Sequence, residues 1–272
     1  MVAENQDCYT SDPLNSIRQV SIPLPYTEDK VIGVIGGLGP AATMDFCNRI
    51  IRLTPTRCEQ DHLRLLIDNN PKAPDRNLAL AGKGLSPLSM FVQSAHFLQQ
   101  GGADFLVMPC NTAHAFAEQI TSSVTIPLVN IVDETVLALA QDVKKVGVLA
   151  ADGCLAADLY QRRLRRAGLD FICLDRAAQA DFMGLIYQIK QCGVDAATRC
   201  RMQALSQMLQ NNGADVVIAG CTEVPLALDE SGLSVPLIDS TEILARRAVA
   251  YAKNQVSLPV VGIDSLPLIV NA

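Results

Sequence analysis

The sequence predicts an α/β protein of two similar lobes, each with a four-stranded parallel sheet between layers of helices. Three observations predict this fold. Short apolar runs typical of buried strands alternate along the chain with segments of helical periodicity. A Gly-Ala-Asp tripeptide, an apolar strand and a cysteine follow one another twice, at 102–110 and at 213–221. The strand-like run 31–35 has a counterpart at 146–150, at a similar distance before its cysteine.

The first half alternates strands and helices in a regular order. Its predicted elements are strand 31–35, helix 40–53, strand 63–68, helix 86–100, strand 105–108, strand 126–131 and a helix at about 134–141. The helix 86–100 has the clearest signals, because Ser86 and Pro87 suit a helix start and Gly101 suits its end. Strands that alternate with helices indicate right-handed crossovers and a parallel sheet.

The second half repeats that order. Its predicted elements are strand 146–150, helix 155–166, strand 170–174, helices within 180–212, strand 215–219, strand 235–238 and a closing helix 241–253. The repetition divides the chain into an N-terminal extension 1–30, a first lobe 31–132 completed by helix 241–253, a second lobe 133–240 and a C-terminal segment 254–272. Each lobe is long enough to bury a core of its own.

Composition narrows the functional class. A net charge of −6 argues against a nucleic-acid-binding surface, and no apolar run approaches the length of a membrane span. The nine cysteines form no Cys-x-x-Cys pair, which favours a reduced, cytoplasmic protein over a disulfide scaffold. The three histidines show no paired ligand spacing, so no metal site is expected. The remaining expectation is a protein that acts on a small molecule.

Cys110 and Cys221 are the predicted reactive residues. Each follows a buried strand, at the sheet edge where open α/β folds bind ligands, and each precedes a predicted helix start whose amides would lower a thiol pKa. A buried cysteine is often only a small apolar residue, but two at matched positions of a repeat favour chemistry. Thr112 and Thr222 lie beside them and are expected to hold a substrate carboxylate, to cap helices, or both.

A glycine-rich turn joins the first strand to the first helix. The run from Gly37 to Ala42 fits the G-x-G-x-x-A form of the dinucleotide fingerprint, but the expected acidic residue about 20 positions later is missing. We therefore favour a glycine turn whose backbone amides, at the N-terminus of the helix that follows, bind a carboxylate. A tight turn with no ligand is the alternative.

Charged residues near the same sheet edge supply further candidates. Arg76 is the last residue of the proline-rich loop 69–76, and its guanidinium could bind a carboxylate with two hydrogen bonds. The alternative is that Arg76 forms a surface ion pair with an aspartate. His114 and Glu223 follow the two cysteines and differ between the lobes. His114 either tunes its thiol or shuttles the thiol proton, or it is a satisfied polar residue at the pocket edge. Lys190 lies on a predicted helix, where most lysines are solvated.

These motifs, in this order, resemble those of the aspartate racemases in the PLP-independent aspartate/glutamate racemase family. The resemblance covers about 31–253 and rests on Gly36–Pro40, Asn69–Pro71, Pro74–Arg76, Met108–His114, Ile186–Lys190 and Gly220–Glu223. It implies two pseudo-symmetric lobes with the active site between them, a homodimer, no cofactor, and an acidic amino acid as substrate.

The resemblance also implies roles for individual residues. Cys110 and Cys221 match the two catalytic cysteines of the family. The implied substrate contacts are Gly37, Pro40, Arg76, Asn111, Thr112, Ala113, Lys190, Thr222 and Glu223. Among them, Arg76 and Lys190 match residues that bind or orient the side-chain carboxylate. One cysteine would be a thiolate that removes the α-proton, and the other a thiol that returns a proton to the opposite face.

The chain departs from the family in the turn after the first strand of the second lobe. The usual Ala-Thr-x-Gly-Thr is Ala150–Cys154 here, so two threonines are lost and Asp152 and Cys154 are introduced. This departure bears on substrate preference and keeps alternatives open. They are another two-cysteine enzyme (a glutamate or broad amino-acid racemase, or a maleate-isomerase-like or hydantoin-racemase-like protein) and a catalytically silent amino-acid-binding module.

Overall fold

In the part of the chain that the structure describes, eight strands form two parallel sheets with the same strand order. The computed structural model describes residues 29–228 and 233–259. The first sheet, in the order β2-β1-β3-β4, contains β1 (Ile32–Gly36), β2 (Leu65–Asn69), β3 (Phe105–Val107) and β4 (Leu128–Val129). The second, in the order β6-β5-β7-β8, contains β5 (Lys145–Ala150), β6 (Asp170–Cys173), β7 (Val216–Gly220) and β8 (Leu237–Asp239). The predicted two-lobed α/β fold is confirmed.

Helices flank both sheets. They are α1 (Pro40–Leu53), α2 (Arg76–Leu80), α3 (Leu88–Gln100), α4 (Ala117–Thr121), α5 (Ile131–Leu137), α6 (Asp152–Ala156), α7 (Leu159–Arg166), α8 (Arg176–Cys192), α9 (Ala196–Asn211), α10 (Val224–Ala227) and α11 (Ser240–Ala252), with 3-10 turns at Glu59–Asp61 and Thr112–Phe116. None of the helices in the described ranges is both long and apolar enough to cross a bilayer.

The repeated Gly-Ala-Asp tripeptide has one structural role in both lobes. Asp104 accepts a hydrogen bond from the Val31 amide at 2.6 Å, and Asp215 accepts one from the Lys145 amide at 2.8 Å. Each aspartate thereby fixes the start of the central strand of its sheet. The glycine two residues earlier has a positive φ (+91° or +88°) that lets the chain leave the preceding helix. The tripeptide therefore sets the register of the strand that leads to each cysteine.

Several element boundaries differ from the sequence-based prediction. The single helix predicted at 155–166 is wrong: α6 and α7 are separate, and Asp158 between them has φ +53°. The fourth strand is shorter than predicted. Its end and the earlier start of α5 have one cause, because the Asn130 side chain accepts hydrogen bonds from the Val132 and Asp133 amides and caps the helix there.

The two lobes share a buried core, and the last helix packs on the first half of the chain. One apolar cluster contains Val34 and Val107 of the first sheet together with Val148 and Ile218 of the second. Helix α11 packs against α1 and α5. The carboxyl ends of both sheets therefore face a common cleft, where the loops after β3 and β7 meet.

Candidate active site

Cys110 and Cys221 face the same pocket between the lobes. Cys110 lies three residues after β3 and Cys221 directly after β7, and both side chains are buried. Both halves of the chain line this pocket, with Leu38, Arg76, Asn77, Cys110, Asn111, Thr112, Ala151, Lys190, Cys221, Thr222 and Glu223. The repeated strand geometry thus brings the two sequence-predicted thiols to one cleft, although they are far apart in sequence.

Cys221 is part of a compact polar cluster. Its Sγ donates a hydrogen bond to Oε2 of Glu223 at 3.0 Å, and the Thr222 hydroxyl donates to the same oxygen at 3.2 Å. The ammonium of Lys190 lies 3.6 Å from the other oxygen, Oε1. Glu223 is only 3% exposed, so its carboxylate depends on these three donors rather than on water.

The electrostatics of this cluster keep Cys221 protonated. Burial raises the pKa of the Cys221 thiol well above its ordinary value, and the charge of Glu223 raises it further, while Lys190 opposes both. For Lys190, burial disfavours the charged ammonium, but Glu223 and the two cysteines outweigh burial and raise its pKa. Cys221 is therefore a hydrogen-bonding thiol beside a carboxylate–ammonium pair.

Cys110 lies in a different kind of surrounding. The amide of its neighbour Asn111 donates from Nδ2 to Oγ of Ser240 at 3.1 Å and accepts from the Tyr160 hydroxyl at 2.6 Å. Ser240 in turn donates to the Ala219 carbonyl at 2.7 Å. These buried hydrogen bonds connect the turn that carries Cys110 to the strand that leads to Cys221. In the described ranges, no side chain forms a hydrogen bond to Cys110 Sγ comparable to that of Glu223.

Both ring nitrogens of His114 are held by backbone groups. Its Nδ1 lies 2.9 Å from the Cys110 carbonyl oxygen, and its Nε2 accepts from the Ile131 amide at 3.3 Å. This pair of contacts requires a neutral ring that donates from Nδ1. Burial also lowers the pKa of His114. Of the two sequence-based readings, the geometry favours the satisfied polar residue over the proton shuttle.

Arg76 is a buried cation whose hydrogen bonds go to backbone carbonyls. Its side chain donates to the Leu38 carbonyl at 2.7 Å and to the Pro74 carbonyl at 3.3 Å, and the residue is 9% exposed. Among the residues that the structure describes, no acidic side chain lies within ion-pair distance of it. The surface Asp-Arg pair weighed from the sequence is therefore not formed. A buried guanidinium beside the pocket favours an anionic ligand.

Three of the predicted substrate contacts do not line the pocket. Gly37 has φ +85°, its amide donates to the Thr43 hydroxyl at 2.9 Å, and a Cβ there would lie 2.3 Å from the Asn70 backbone. Its role is thus to make a close turn, and its amide is not available to a carboxylate. Pro40 is exposed at the start of α1. Ala113 is fully buried in the core of the first lobe.

Sequence reasoning missed three lining residues, Leu38, Asn77 and Ala151. Asn77 connects the two lobes by a hydrogen bond, because its Oδ1 accepts from the Gly153 amide at 2.9 Å. Ala151 could have been found from the sequence, because it lies in the altered turn 150–154, where the resembling family carries threonine. The cysteine of that turn, Cys154, is fully buried, and burial raises its pKa strongly, which suits a packing role.

Two repeated α/β lobes that each present a buried thiol to a shared pocket define the class of this protein. The family model described as Asp/Glu/hydantoin racemase matches residues 35–248, and the chain belongs to that family. It is 29% identical over 224 residues to the broad-specificity amino-acid racemase RacX of Bacillus subtilis (strain 168), covering 81% of this chain and 97% of that protein.

Solved structures are similar over most of the chain. The aspartate racemase of Picrophilus torridus superimposes with a TM-score of 0.72 at 27% identity, covering 82% of this chain and 94% of that one. The glutamate racemase of Francisella tularensis, solved with D-glutamate, gives a TM-score of 0.63 at 16% identity, covering 84% and 83%. The second likeness concerns the fold alone.

Proposed function

We propose that this protein racemises an acidic amino acid without a cofactor, with aspartate as the first candidate substrate. The observation that carries the proposal is the pair of buried thiols, Cys110 and Cys221, on equivalent strands that face one pocket. Racemisation needs a base on one face of the α-carbon and an acid on the other, and a duplicated lobe supplies one such group from each side. A homodimer and a cytoplasmic location stay predictions.

The proton transfers use the two cysteines in alternate roles. With Cys110 as thiolate and Cys221 as thiol, Cys110 removes the α-proton of one enantiomer and Cys221 protonates the planar intermediate from the other side. The opposite enantiomer starts from the reversed protonation state. An unperturbed thiol has a pKa of ~8.5, close enough to neutral pH for both protonation states to be used in catalysis. Because burial raises the pKa of Cys221, its thiolate requires a change in its surroundings when the substrate binds.

The carbanion intermediate is the difficult species, because no pyridoxal ring accepts its electrons. Its charge must spread onto the α-carboxylate, where hydroxyl and amide donors stabilise it. Thr112 and Thr222 line the pocket beside the two cysteines and are the proposed donors. The Thr222 hydroxyl donates to Glu223 in this structure, so it would turn to the substrate on binding.

Preference for an acidic side chain rests on Arg76. Its buried guanidinium has no carboxylate partner among the described residues, and a bound dicarboxylate would supply one. Lys190, at the same pocket, is the second proposed contact for that carboxylate. Both cations adjoin the pocket together with the thiols, as a dicarboxylic amino acid requires.

A broader or different substrate range is the second candidate. Ala151 lines the pocket at a position where the resembling family carries threonine, so one polar contact is replaced by a small apolar surface. A relative that aligns over nearly its whole length is named as a broad-specificity racemase. This observation favours testing glutamate and neutral amino acids beside aspartate.

The deciding experiment measures α-proton exchange and inversion together. The protein is incubated in D₂O with the separate L and D forms of aspartate, glutamate and alanine, followed by NMR for α-deuterium and chiral chromatography for inversion. We expect exchange and inversion of both aspartate enantiomers, and neither reaction in a Cys110→Ser, Cys221→Ser double variant. Binding of aspartate without any exchange would instead identify a silent amino-acid-binding module, and faster turnover of alanine would identify a broad racemase.

A further inference from the structure

The residues at the start of α2 connect the first lobe to the second beside the pocket. Asp75, the N-cap of α2, accepts a hydrogen bond on Oδ2 from the Tyr187 hydroxyl at 3.2 Å. Asn77 accepts one on Oδ1 from the Gly153 amide at 2.9 Å. Tyr187 lies on α8 and Gly153 on α6, both in the second lobe. Because Arg76 lies between Asp75 and Asn77 in the chain, its backbone is tied to the second lobe on either side.

The same contacts fix Arg76 relative to Lys190. Lys190 is one turn after Tyr187 on α8, so the two side chains lie on neighbouring positions of that helix. Tyr187 contacts Asp75, while Lys190 lines the pocket together with Arg76. Asp75 is itself held, because its Oδ1 accepts from the Asn77 amide at 2.7 Å and caps α2. The separation of the two pocket cations therefore depends on contacts between the lobes.

Asn77 makes the shorter of the two hydrogen bonds, at the point where α2 meets α6. A Cβ added to Gly153 would lie 2.9 Å from Asn77 Oδ1 and 2.8 Å from Thr112 Cγ2, closer than ordinary van der Waals contact. The two helices therefore meet as closely as a glycine at position 153 allows. Asn77 also lines the pocket. Lobes that touch this closely beside the pocket favour a short acid, because a longer acid would require them to separate.

We propose that Asn77 determines the length of the acid that the pocket accepts, by holding Arg76 at a fixed distance from Lys190. This inference rests on the proposed action on an acidic amino acid. The skeleton that fits is the one whose side-chain carboxylate reaches both cations while the α-carbon lies between the thiols. With the lobes tethered at Asn77, we expect this to be the skeleton of aspartate rather than that of glutamate. Because Asn77 acts through Arg76, it is a positioning residue.

Binding of dicarboxylates of different length tests the proposal without catalysis. Isothermal titration calorimetry gives dissociation constants for succinate, with the carbon skeleton of aspartate, and for glutarate, with that of glutamate. The proteins compared are the wild type, Asn77→Ser and the exposed control Asn48→Ser. The wild type should bind succinate about tenfold more tightly than glutarate, because one methylene changes affinity in a fitted pocket by at least about that factor. Serine is too short to reach the Gly153 amide, so Asn77→Ser should reduce this ratio about fivefold. Asn48→Ser should keep the wild-type ratio.

A conservative variant separates positioning from a general loss of structure. Asn77→Asp keeps an oxygen that can accept from the Gly153 amide, but it adds a negative charge beside the pocket. Both dicarboxylates should therefore bind more weakly, while the ratio of their affinities stays close to that of the wild type. In each variant, the ratio of kcat/KM for aspartate to kcat/KM for glutamate should change as the binding ratio does.

The binding ratios and the turnover measurements decide different points. Equal losses for both dicarboxylates in Asn77→Ser would show a merely structural role and overturn the proposal. A ratio in Asn77→Asp as low as that in Asn77→Ser would overturn it as well, and so would a wild type that does not prefer succinate or binds neither acid. If no amino acid exchanges its α-proton in the wild type, the proposed racemisation fails. The binding ratios need no turnover, so they still decide the role of Asn77 in that case.

Discussion

The turns that carry Cys110 and Cys221 begin alike and end differently. Both follow a Gly-Ala-Asp tripeptide and a buried strand, and both deliver a buried sulfur to the same pocket. Beside Cys221 there is a carboxylate at 3.0 Å. The polar side chains next to Cys110 form hydrogen bonds with other groups. Asn111 bonds to Tyr160 and Ser240, and His114 bonds to the backbone.

This difference distinguishes the features that both lobes share through the repeat from the residues that are particular to each lobe. The repeated backbone places two thiols symmetrically, while the residues after them make the thiols chemically unequal. The inequality cannot appear in kcat/KM, because the two enantiomers have equal free energy and kcat/KM must be the same in both directions. It can appear in kcat and KM separately, and in proton exchange that occurs without inversion.

Removing either thiol should have the largest effect. Cys110→Ser and Cys221→Ser should each lower racemisation about a thousandfold or more, because a serine hydroxyl is a far weaker acid than a thiol. Each variant keeps one thiol, so each should wash deuterium from D₂O into one enantiomer only. The two variants should favour opposite enantiomers, as followed by NMR and chiral chromatography. Should both favour the same enantiomer, the two-sided arrangement of the thiols would be wrong.

The cations of the two lobes differ in the same way, since Lys190 has a carboxylate partner and Arg76 has none among the residues that the structure describes. Arg76→Ala should lower kcat/KM for aspartate about tenfold to a hundredfold, because a charge-assisted contact is lost. The loss should be smaller for any neutral amino acid that the protein accepts. Arg57→Ala is the matched control, since that side chain is 95% exposed. A variant at Arg76 that retains full activity on aspartate would remove the argument for an acidic substrate.

The smallest expected effect concerns His114 and the stability of the first lobe. Burial lowers its pKa, so the unfolded chain binds a proton near pH 6.5 that the folded chain resists. The stability from the neutral ring is present above pH 6.5 and is lost as the pH falls below it. By pH 5.5 the loss is at most about 1.4 kcal/mol.

Urea unfolding at pH 7.5 and 5.5 checks this effect, with the wild type compared against His114→Asn. The wild type should lose more free energy of unfolding between the two pH values than the variant does. Racemisation by His114→Asn should fall less than tenfold, because both ring nitrogens are engaged by backbone groups and not by the thiol. If His114→Asn lost as much racemisation activity as Cys110→Ser, His114 would instead be a proton shuttle for Cys110. Each of the two turns would then carry an ionisable side chain that assists its thiol.

The sequence allowed the fold to be predicted well and its boundaries less well. Helix α1 was predicted to the residue, because the glycine turn and Pro40 mark its start. The break between α6 and α7 was missed because Asp158 adopts a left-handed backbone conformation. Aspartate adopts this conformation more often than most residues, but its presence in a sequence does not predict it. Gly37 was placed at the ligand from its motif alone, yet it serves the close approach of the chain to Asn70.

The sequence by itself determined the repeat, the alternation of strands and helices, and the position of a cysteine after each matched strand. These features follow from local periodicity and from the fact that parallel strands end at a common edge. Only the tertiary structure decided what surrounds each sulfur. Lys190 reaches Glu223 from another helix, Ser240 reaches Asn111 from the last helix, and Arg76 turns to the Leu38 carbonyl. Such contacts depend on how distant segments pack, which no local pattern of residues encodes.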